Sequence, residues 1–169
     1  MTTVTSTVSA RVNSMLVGLA DHSSPKAIDD LAAIVQLASG IGANQADTVF
    51  SDKRTLAASA NETLDLSGGG LKDDLGAPAN FAKVKAILIV ASKNNINNVV
   101  IGAAAANPFL GPLGGTAPTI TLPPGGFVLL AAPINGWSSA EAAADQLKIE
   151  NSGAGTPVDY DIHALGTSA

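Results

Sequence analysis

Short β-type runs separated by turn residues follow one another along most of this chain, and they limit its fold more than any other feature. From residue 46 onward, runs such as "NETLDLSG", "FAKVKAILIVAS" and "NVVIGA" are interrupted by Gly, Pro and Asn clusters. About eight such runs, spaced roughly 8 to 12 residues apart without long helical segments between them, are typical of antiparallel sandwiches. The sequence therefore predicts a mainly-β fold, an antiparallel β-sandwich of jelly-roll or immunoglobulin-like type, and leaves the strand order open.

Three of the turn clusters predict β-hairpins. "KNNIN" separates "FAKVKAILIVAS" from "NVVIGA", and Asn suits such a turn because it tolerates left-handed backbone. "PPGG" separates "TAPTITL" from "FVLLAAP", and "GAGT" joins "QLKIENS" to "PVDYDIHALG". We expect the two strands of each pair to be neighbours in one sheet.

The first 45 residues differ from the rest. "TTVTSTVSARVNSMLVGLAD" is rich in Thr, Ser and Val and predicts an extended arm over Thr2 to Asp21. In "SSPKAIDDLAAIVQLASG", Ser24 can cap a helix, Pro25 suits its first position, and apolar residues recur at helical spacing. We predict a short helix over residues 25–39, with a strand as the alternative.

These patterns divide the chain into two parts. Residues 1–45 form an N-terminal arm with a short helix, and residues 46–169 form the β-sandwich domain.

The charge balance limits the partners of the protein. Only 14% of the residues are charged, against about 25% in an ordinary domain, and the net charge is -5. The nine basic residues are scattered, so clustered phosphate binding and direct nucleic-acid contact are not expected. No apolar run approaches the roughly 20 residues that span a bilayer, and "MTTVTSTVSARV" lacks a secretory-signal pattern, so we expect a soluble cytoplasmic product without membrane partners. A charge-poor surface also favours a homo-oligomer, a dimer or trimer.

Catalytic and metal-binding patterns are missing from the sequence. The chain has no cysteine, no nucleophile elbow, no Walker loop and no dinucleotide fingerprint. The remaining candidates are two histidines and three pairs of acidic residues, each interpreted as a solvated or ordinary strand residue: His22, His163, Asp29/Asp30, Asp73/Asp74 and Asp159/Asp161. We therefore predict no enzyme activity, no cofactor and no catalytic or metal-ligating residue.

Large apolar residues in loops are the candidates for an interface. "NPFLGPLGG" presents Phe109, Leu110 and Leu113, which either fold over the protein's own core or insert into a neighbour. Trp137, in "PINGWSSAE", either plugs one end of the sandwich or anchors an interface. The interface candidates, including three valines of the arm, are Val4, Val8, Val12, Phe109, Leu110, Leu113 and Trp137.

Several sequence blocks between residues 42 and 169 resemble a family of small virion proteins of tailed bacteriophages. The blocks are "GANQAD", "FAKVKAI", "NNVVIG", "PGG" and "NSGAGT", followed by "YDI" and the terminal "GTSA". The resemblance implies a structural protein of the virion, synthesised in the host cytoplasm. It implies no catalytic residue.

Within a virion, we expect a capsid decoration, or cement, protein that binds the lattice of the major capsid protein and stabilises the head. A tail, neck or head-fibre component is the alternative. A carbohydrate-binding adhesion module would need more exposed aromatic residues than one Trp, one Tyr and four Phe readily supply.

Overall fold

The structure is a computed structural model that describes residues 3–19, 21–115 and 117–169, and within these ranges it contains β-strands and no helix. A mainly-β fold is therefore confirmed. The strands in chain order are β1 (Ser6–Val17), β2 (Lys26–Ser39), β3 (Gln45–Ala46), β4 (Thr48–Leu56), β5 (Asn61–Asp65), β6 (Lys83–Ala91), β7 (Val99–Gly102), β8 (Thr119–Leu122), β9 (Phe127–Ala131), β10 (Trp137–Ser138), β11 (Gln146–Asn151) and β12 (Val158–Thr167).

Two antiparallel sheets form the sandwich. Sheet I has the order β9-β6-β12-β4, and the short strand β10 pairs with the start of β6 on the same edge as β9. Sheet II has the order β5-β11-β7-β8. The predicted antiparallel β-sandwich is confirmed.

The strand order identifies the sandwich as a jelly roll. The chain passes from β4 in sheet I to β5 in sheet II and back to β6 in sheet I, and most later connections alternate in the same way. An immunoglobulin-like domain would instead keep its first two strands in one sheet. The interleaved order of two Greek keys is the jelly-roll alternative of the prediction.

The three predicted hairpins are wrong as strand pairs, although chain reversals do occur at their turns. In each case the two strands belong to different sheets: β6 and β7, β8 and β9, and β11 and β12. The residues of a turn specify a reversal, but they do not specify which sheet the next strand joins. Since packed sheets lie about 10 Å apart, loops of only a few residues can bridge them.

The core lies between the two sheets and is built by alternate residues of each strand. Ile87 and Ile89 of β6, Ile162 of β12 and Ile149 of β11 are all at most 2% exposed, together with Tyr160. Burying each such aliphatic side chain contributes about 1.5–3 kcal/mol. The sandwich therefore has a continuous core of its own.

The asparagine cluster fixes a corner where the chain changes sheets. The Asn95 side chain donates to the Asp159 carbonyl and accepts from the Asp159 N–H, both at 2.9 Å. Asn97 Nδ2 donates to the Gly153 carbonyl at 2.9 Å and to Asn151 Oδ1 at 3.0 Å. These side chains supply hydrogen bonds where regular strand pairing ends.

The predicted helix over residues 25–39 is wrong, and the predicted extended arm is one strand of a β-hairpin. Strands β1 and β2 pair antiparallel from Ser6↔Leu37 to Val17↔Lys26, and the Gly18 N–H donates to the Pro25 carbonyl at 2.8 Å beside the loop. Thr2 and Ala20, within the predicted arm, lie outside the described residues.

The helix prediction failed because two periodicities overlap in β2. Leu31, Ala33, Val35 and Leu37 also recur at every second position, which is the spacing of one strand face. Pairing with the β-prone β1 along its whole length decides between the two, since tertiary context overrides weak helix propensity.

A second, smaller core attaches the base of the hairpin to the sandwich. Val4 and Leu37 pack with Ala46, and with Ala86 and Leu165 on the outward face of sheet I. Strand β3, which spans the predicted boundary between residues 45 and 46, pairs parallel with the end of β2. The base of the hairpin is thus fixed to the sandwich.

Candidate interaction surfaces

One face of the hairpin carries an apolar stripe that begins in the second core and continues out into solvent. Because residues of a strand alternate between faces, the cross-strand pairs Val8↔Val35, Ala10↔Ala33, Val12↔Leu31 and Leu16↔Ala27 share the face of Leu37. Only the pair nearest the sandwich is partly buried. We call the exposed part the hairpin stripe, consisting of Ala10, Val12, Leu16, Ala27, Leu31 and Ala33.

The stripe is strongly exposed where its side chains are largest. Val12 is 69% exposed, Leu16 74% and Leu31 77%. Eight of the thirteen exposed large apolar residues within the described ranges lie between residues 12 and 34. A soluble chain usually scatters such residues singly, so this concentration, shared by both faces of the hairpin, makes the hairpin a candidate interaction surface.

The opposite face of the hairpin is more polar. The Arg11 Nε donates to Asp30 Oδ1 at 2.8 Å, and this hydrogen bond raises the pKa of Arg11. Met15 and Ile28, which are cross-strand partners, make the far end of this face apolar. Arg11 and Asp30 of this face therefore bind each other, whereas its far end carries Lys26 and exposed apolar area.

A second apolar surface lies on the outward face of sheet I beside the hairpin. Leu88 and Val90 of β6 are half-buried there, and they face Leu129 and Phe127 of β9. Phe127 is 69% exposed. We call Leu88, Val90, Phe127 and Leu129 the sheet groove.

The groove opens into a cleft against the base of the hairpin. The cleft has a volume of about 350 Å³ and is walled on one side by Ser6–Ser9 of β1 and on the other by sheet I. Leu88, Leu129 and Leu165 contribute apolar walls, and His163 is the ionisable group that lines it. A cleft with these walls suits an apolar protein segment.

The three arm valines occupy different environments. Val4 is 8% exposed within the second core, and Val8 packs partly buried against it. Val12 is exposed on the hairpin stripe. Of these three interface candidates, Val12 presents an accessible side chain.

The interface candidates in the loops also differ in their burial. Phe109 is 2% exposed in the main core, so at this residue the loop folds over its own sandwich. Leu110, Leu113 and Trp137 are half-buried, and Trp137 packs against the main core. A Cβ added at Gly111 would lie 2.5 Å from Trp137 Cβ, so the loop lies directly on the tryptophan. We call Leu110, Leu113 and Trp137 the end patch.

Two of the acidic candidates in the sandwich, Asp73 and Asp159, bind their own chain. Asp73 Oδ1 accepts from the N–H groups of Leu75 and Ala77 at 2.9 and 2.8 Å, which stabilises its loop. Asp159 Oδ1 accepts from the Thr55 hydroxyl. Within residues 3–19, 21–115 and 117–169, no three acidic or histidine side chains are grouped as metal ligands.

Three buried polar groups have shifted pKa values. Burial, and then the nearby Lys83, lower the pKa of Lys85, whose ammonium donates to the Ile134 carbonyl at 2.7 Å. Burial, and then the hydrogen bond that its hydroxyl donates to Glu62 at 2.8 Å, raise the pKa of Tyr160. Each of these bonds connects elements of the fold.

Asp145 is the third group. Burial alone would raise its pKa, but hydrogen bonds from the Ala142 N–H at 2.8 Å and from the side chains of Gln146 and Ser67 lower it. The charged carboxylate therefore stabilises the turn that precedes β11.

Leu16, Leu31 and Phe127 were not among the residues predicted from the sequence to form an interface. Leu31 was assigned to a helix, and its recurrence with Ala33, Val35 and Leu37 was the available signal. Phe127 stands at the start of an apolar run that suggested burial, and only the pairing of β9 at the edge of sheet I exposes it.

Among the described residues, no helix is long and apolar enough to cross a membrane.

Comparisons with known proteins identify no relative. The chain matches no protein-family model, no curated protein and no solved structure.

Proposed function

We propose that this chain is a structural virion protein, a capsid decoration protein that binds the major capsid protein lattice of a tailed bacteriophage and stabilises the head. The observation that carries the proposal is the end patch, where the half-buried apolar side chains of Leu110, Leu113 and Trp137 lie on and beneath a Gly/Pro loop. The resemblance of residues 42–169 to small virion proteins supplies the setting.

The surface chemistry favours protein partners. Clustered basic residues would be needed to neutralise phosphates, whereas the nine Lys and Arg residues are spread along a chain of net charge -5. Exposed apolar area rimmed by Ser, Thr and Asn is instead typical of protein interfaces. A jelly roll also occurs in viral capsid domains, which agrees with the proposal but does not by itself carry it.

We assign the capsid contact to the end patch. Leu110 and Leu113 lie on a Gly/Pro loop whose small residues allow another backbone to approach closely. Trp137 supports this loop from below and packs against the main core, so it holds Leu110 and Leu113 in position for a partner.

The carbohydrate-binding alternative is weakened by the placement of the aromatic residues. Phe50, Phe81, Phe109 and Tyr160 are buried and Trp137 is half-buried, so Phe127 alone offers an open ring for stacking on a sugar. A single ring on a sheet face is a poor sugar platform.

Copy number in purified particles tests the proposal. Quantitative mass spectrometry should give a ratio to the major capsid protein near one, or a simple fraction set by the lattice. A handful of copies per particle would instead indicate the tail, neck or head-fibre alternative and would contradict decoration.

Binding to empty capsids tests the end patch. Leu113→Asp should abolish co-sedimentation with capsids, since a carboxylate on the patch would be desolvated without a partner. Leu75→Asp, in an exposed loop away from the patch, is the control for the added charge and should bind as the unsubstituted protein does. Equal binding of both variants would move the contact elsewhere.

A further inference from the structure

The hairpin stripe lacks the cover that a two-stranded sheet needs. Its base is packed on sheet I, but from Ala10 and Ala33 outward both strands have solvent on both faces. A two-stranded hairpin alone is marginally stable in water, and a covered apolar face is what normally stabilises it. An occupant of the stripe would supply that cover.

We propose that the occupant is a second copy of this chain. The two copies form a twofold dimer in which each hairpin packs against the partner instead of only against its own sandwich. The stripe of one copy packs on the stripe of the other, and each hairpin lies between the partner's stripe and the partner's sheet groove. This inference does not depend on the proposed capsid function.

The composition of the stripe suits a copy of itself. The pairs that form it are Ala–Ala, Val–Leu and Leu–Ala, and Asp29, opposite Ser14, is the charge on the same face of the two paired strands. Stacking two such faces interdigitates small and large apolar residues, as facing sheets of a sandwich do. A charge-rich partner would desolvate many ionic groups against this face, whereas a second copy brings one carboxylate, Asp29, to it.

The other face of the hairpin suits the sheet groove. Met15 and Ile28 at its far end are apolar, as are Leu88, Phe127 and Leu129 of the groove. Arg11 and Asp30 neutralise each other on the same face, and Lys26, at the outer end of β2, is its remaining charged residue.

The area decides between simple stacking and exchange. The free part of the hairpin runs from Ala10↔Ala33 to Val17↔Lys26. At about 3.3 Å per residue and about 10 Å for two strands, each of its faces covers roughly 250 Å². A stable interface buries about 800 Å² per partner, with about 600 Å² as the lower bound, so stripe-on-stripe stacking alone is too small.

The arrangement with exchanged hairpins buries enough surface area for a stable interface. Each copy would bury both faces of its hairpin and the paired part of β6 and β9. Treated as flat surfaces, these areas sum to roughly 650 Å² per copy, and protruding side chains increase the accessible surface further. The cleft beside Ser6–Ser9 then becomes the entrance through which the partner's hairpin passes onto the sheet groove.

Sedimentation of the full chain with a matched pair of variants tests the dimer. Leu31, on the stripe, and Ile96, in the β6–β7 loop, are 77% and 75% exposed, so Asp substitutions at the two positions differ in place and little else. We expect the unsubstituted chain and Ile96→Asp to have twice the 16.8 kDa monomer mass, and Leu31→Asp to be monomeric.

Each contrary result would overturn the proposal. An unsubstituted chain that stays monomeric at its highest soluble concentration, or a mass of three copies, contradicts the twofold dimer. A Leu31→Asp variant that remains dimeric contradicts the assignment of the stripe. If the free chain is monomeric and Leu31→Asp abolishes capsid binding, the stripe belongs to the capsid contact instead.

Cross-linking keeps the proposal testable if Leu31→Asp fails to fold. The chain has no cysteine, so Leu31→Cys introduces the sole thiol. With a short bismaleimide, Leu31→Cys should give a covalent dimer on a denaturing gel, while the control Ile96→Cys should run there as the uncross-linked chain. Equal yields from both variants would overturn the proposal, whatever the outcome of the capsid experiments.

Discussion

The sandwich and the hairpin use the same strand geometry but bury their apolar faces in different ways. In the sandwich, the apolar face of each sheet is covered by the other sheet, and residues such as Ile149 and Phe81 are completely buried. In the hairpin, the apolar face is covered only at its base, and Leu31 is 77% exposed. The difference teaches that alternation alone shows which residues share a face, whereas topology determines whether that face has a cover.

The largest expected effect is the difference in unfolding free energy between a variant of a buried phenylalanine and a variant of an exposed one. Phe81→Ala should lower the free energy of unfolding by about 3–5 kcal/mol, because it removes a fully buried ring from the core. The same substitution at the exposed Phe127 should change it by less than about 0.5 kcal/mol in the monomer. Urea denaturation of both variants, at a concentration where association is absent, measures the contrast. Similar losses of unfolding free energy would mean that other parts of the same chain already cover Phe127 in the monomer.

A smaller effect is expected from the corner asparagines. Asn151 is 1% exposed, donates to the Ala57 and Thr156 carbonyls and accepts from Asn97. Asn151→Ala should cost about 1–3 kcal/mol, because buried partners lose their hydrogen bonds.

Asn13→Ala, in the exposed hairpin, is the counterpart and should leave the unfolding free energy of the monomer nearly unchanged. Thermal and urea unfolding of both variants give the comparison. A hairpin variant that lost as much stability as the corner variant would show that the two regions unfold as one tightly coupled unit.

The smallest effect concerns pH and Asp145. Because its folded pKa is lowered, Asp145 stabilises the protein above its ordinary pKa of 3.8, and this contribution is lost as pH falls through the folded value. Asp145→Asn should therefore differ most from the unsubstituted protein at neutral pH. The gap in unfolding free energy should narrow below about pH 4. A gap that stays constant down to pH 2 would show that the carboxylate charge is not what stabilises the turn.

The sequence was sufficient for the class of fold, because alternation in "NETLDL" and "QLKIEN" follows directly from the two faces of a strand. It was not sufficient for pairing. The asparagines of "KNNIN" mark a turn, yet their side chains bind Asp159 and Gly153, which lie more than fifty residues away in the chain. Local patterns carry no information about such distant partners.

The surfaces were predicted unevenly for the same reason. Val12 was among the interface candidates because the arm was predicted to be extended, whereas Leu31 was hidden by a helical spacing that its pairing with β1 overrides. Phe109 illustrates the opposite error in expectation, since a Gly/Pro loop can fold its largest side chain into the core. Whether an apolar residue is exposed depends on what packs above it, and one sequence without its fold does not show that.

The position of β12 has a consequence for how the protein forms. This strand lies between β4 and β6. Its residue Leu165 pairs with Val49 of β4, which precedes it by more than a hundred residues in the chain. Sheet I therefore cannot be completed until the chain has been synthesised through β12, and such distant pairings slow folding to roughly milliseconds to seconds. During synthesis the hairpin emerges long before its supporting sheet.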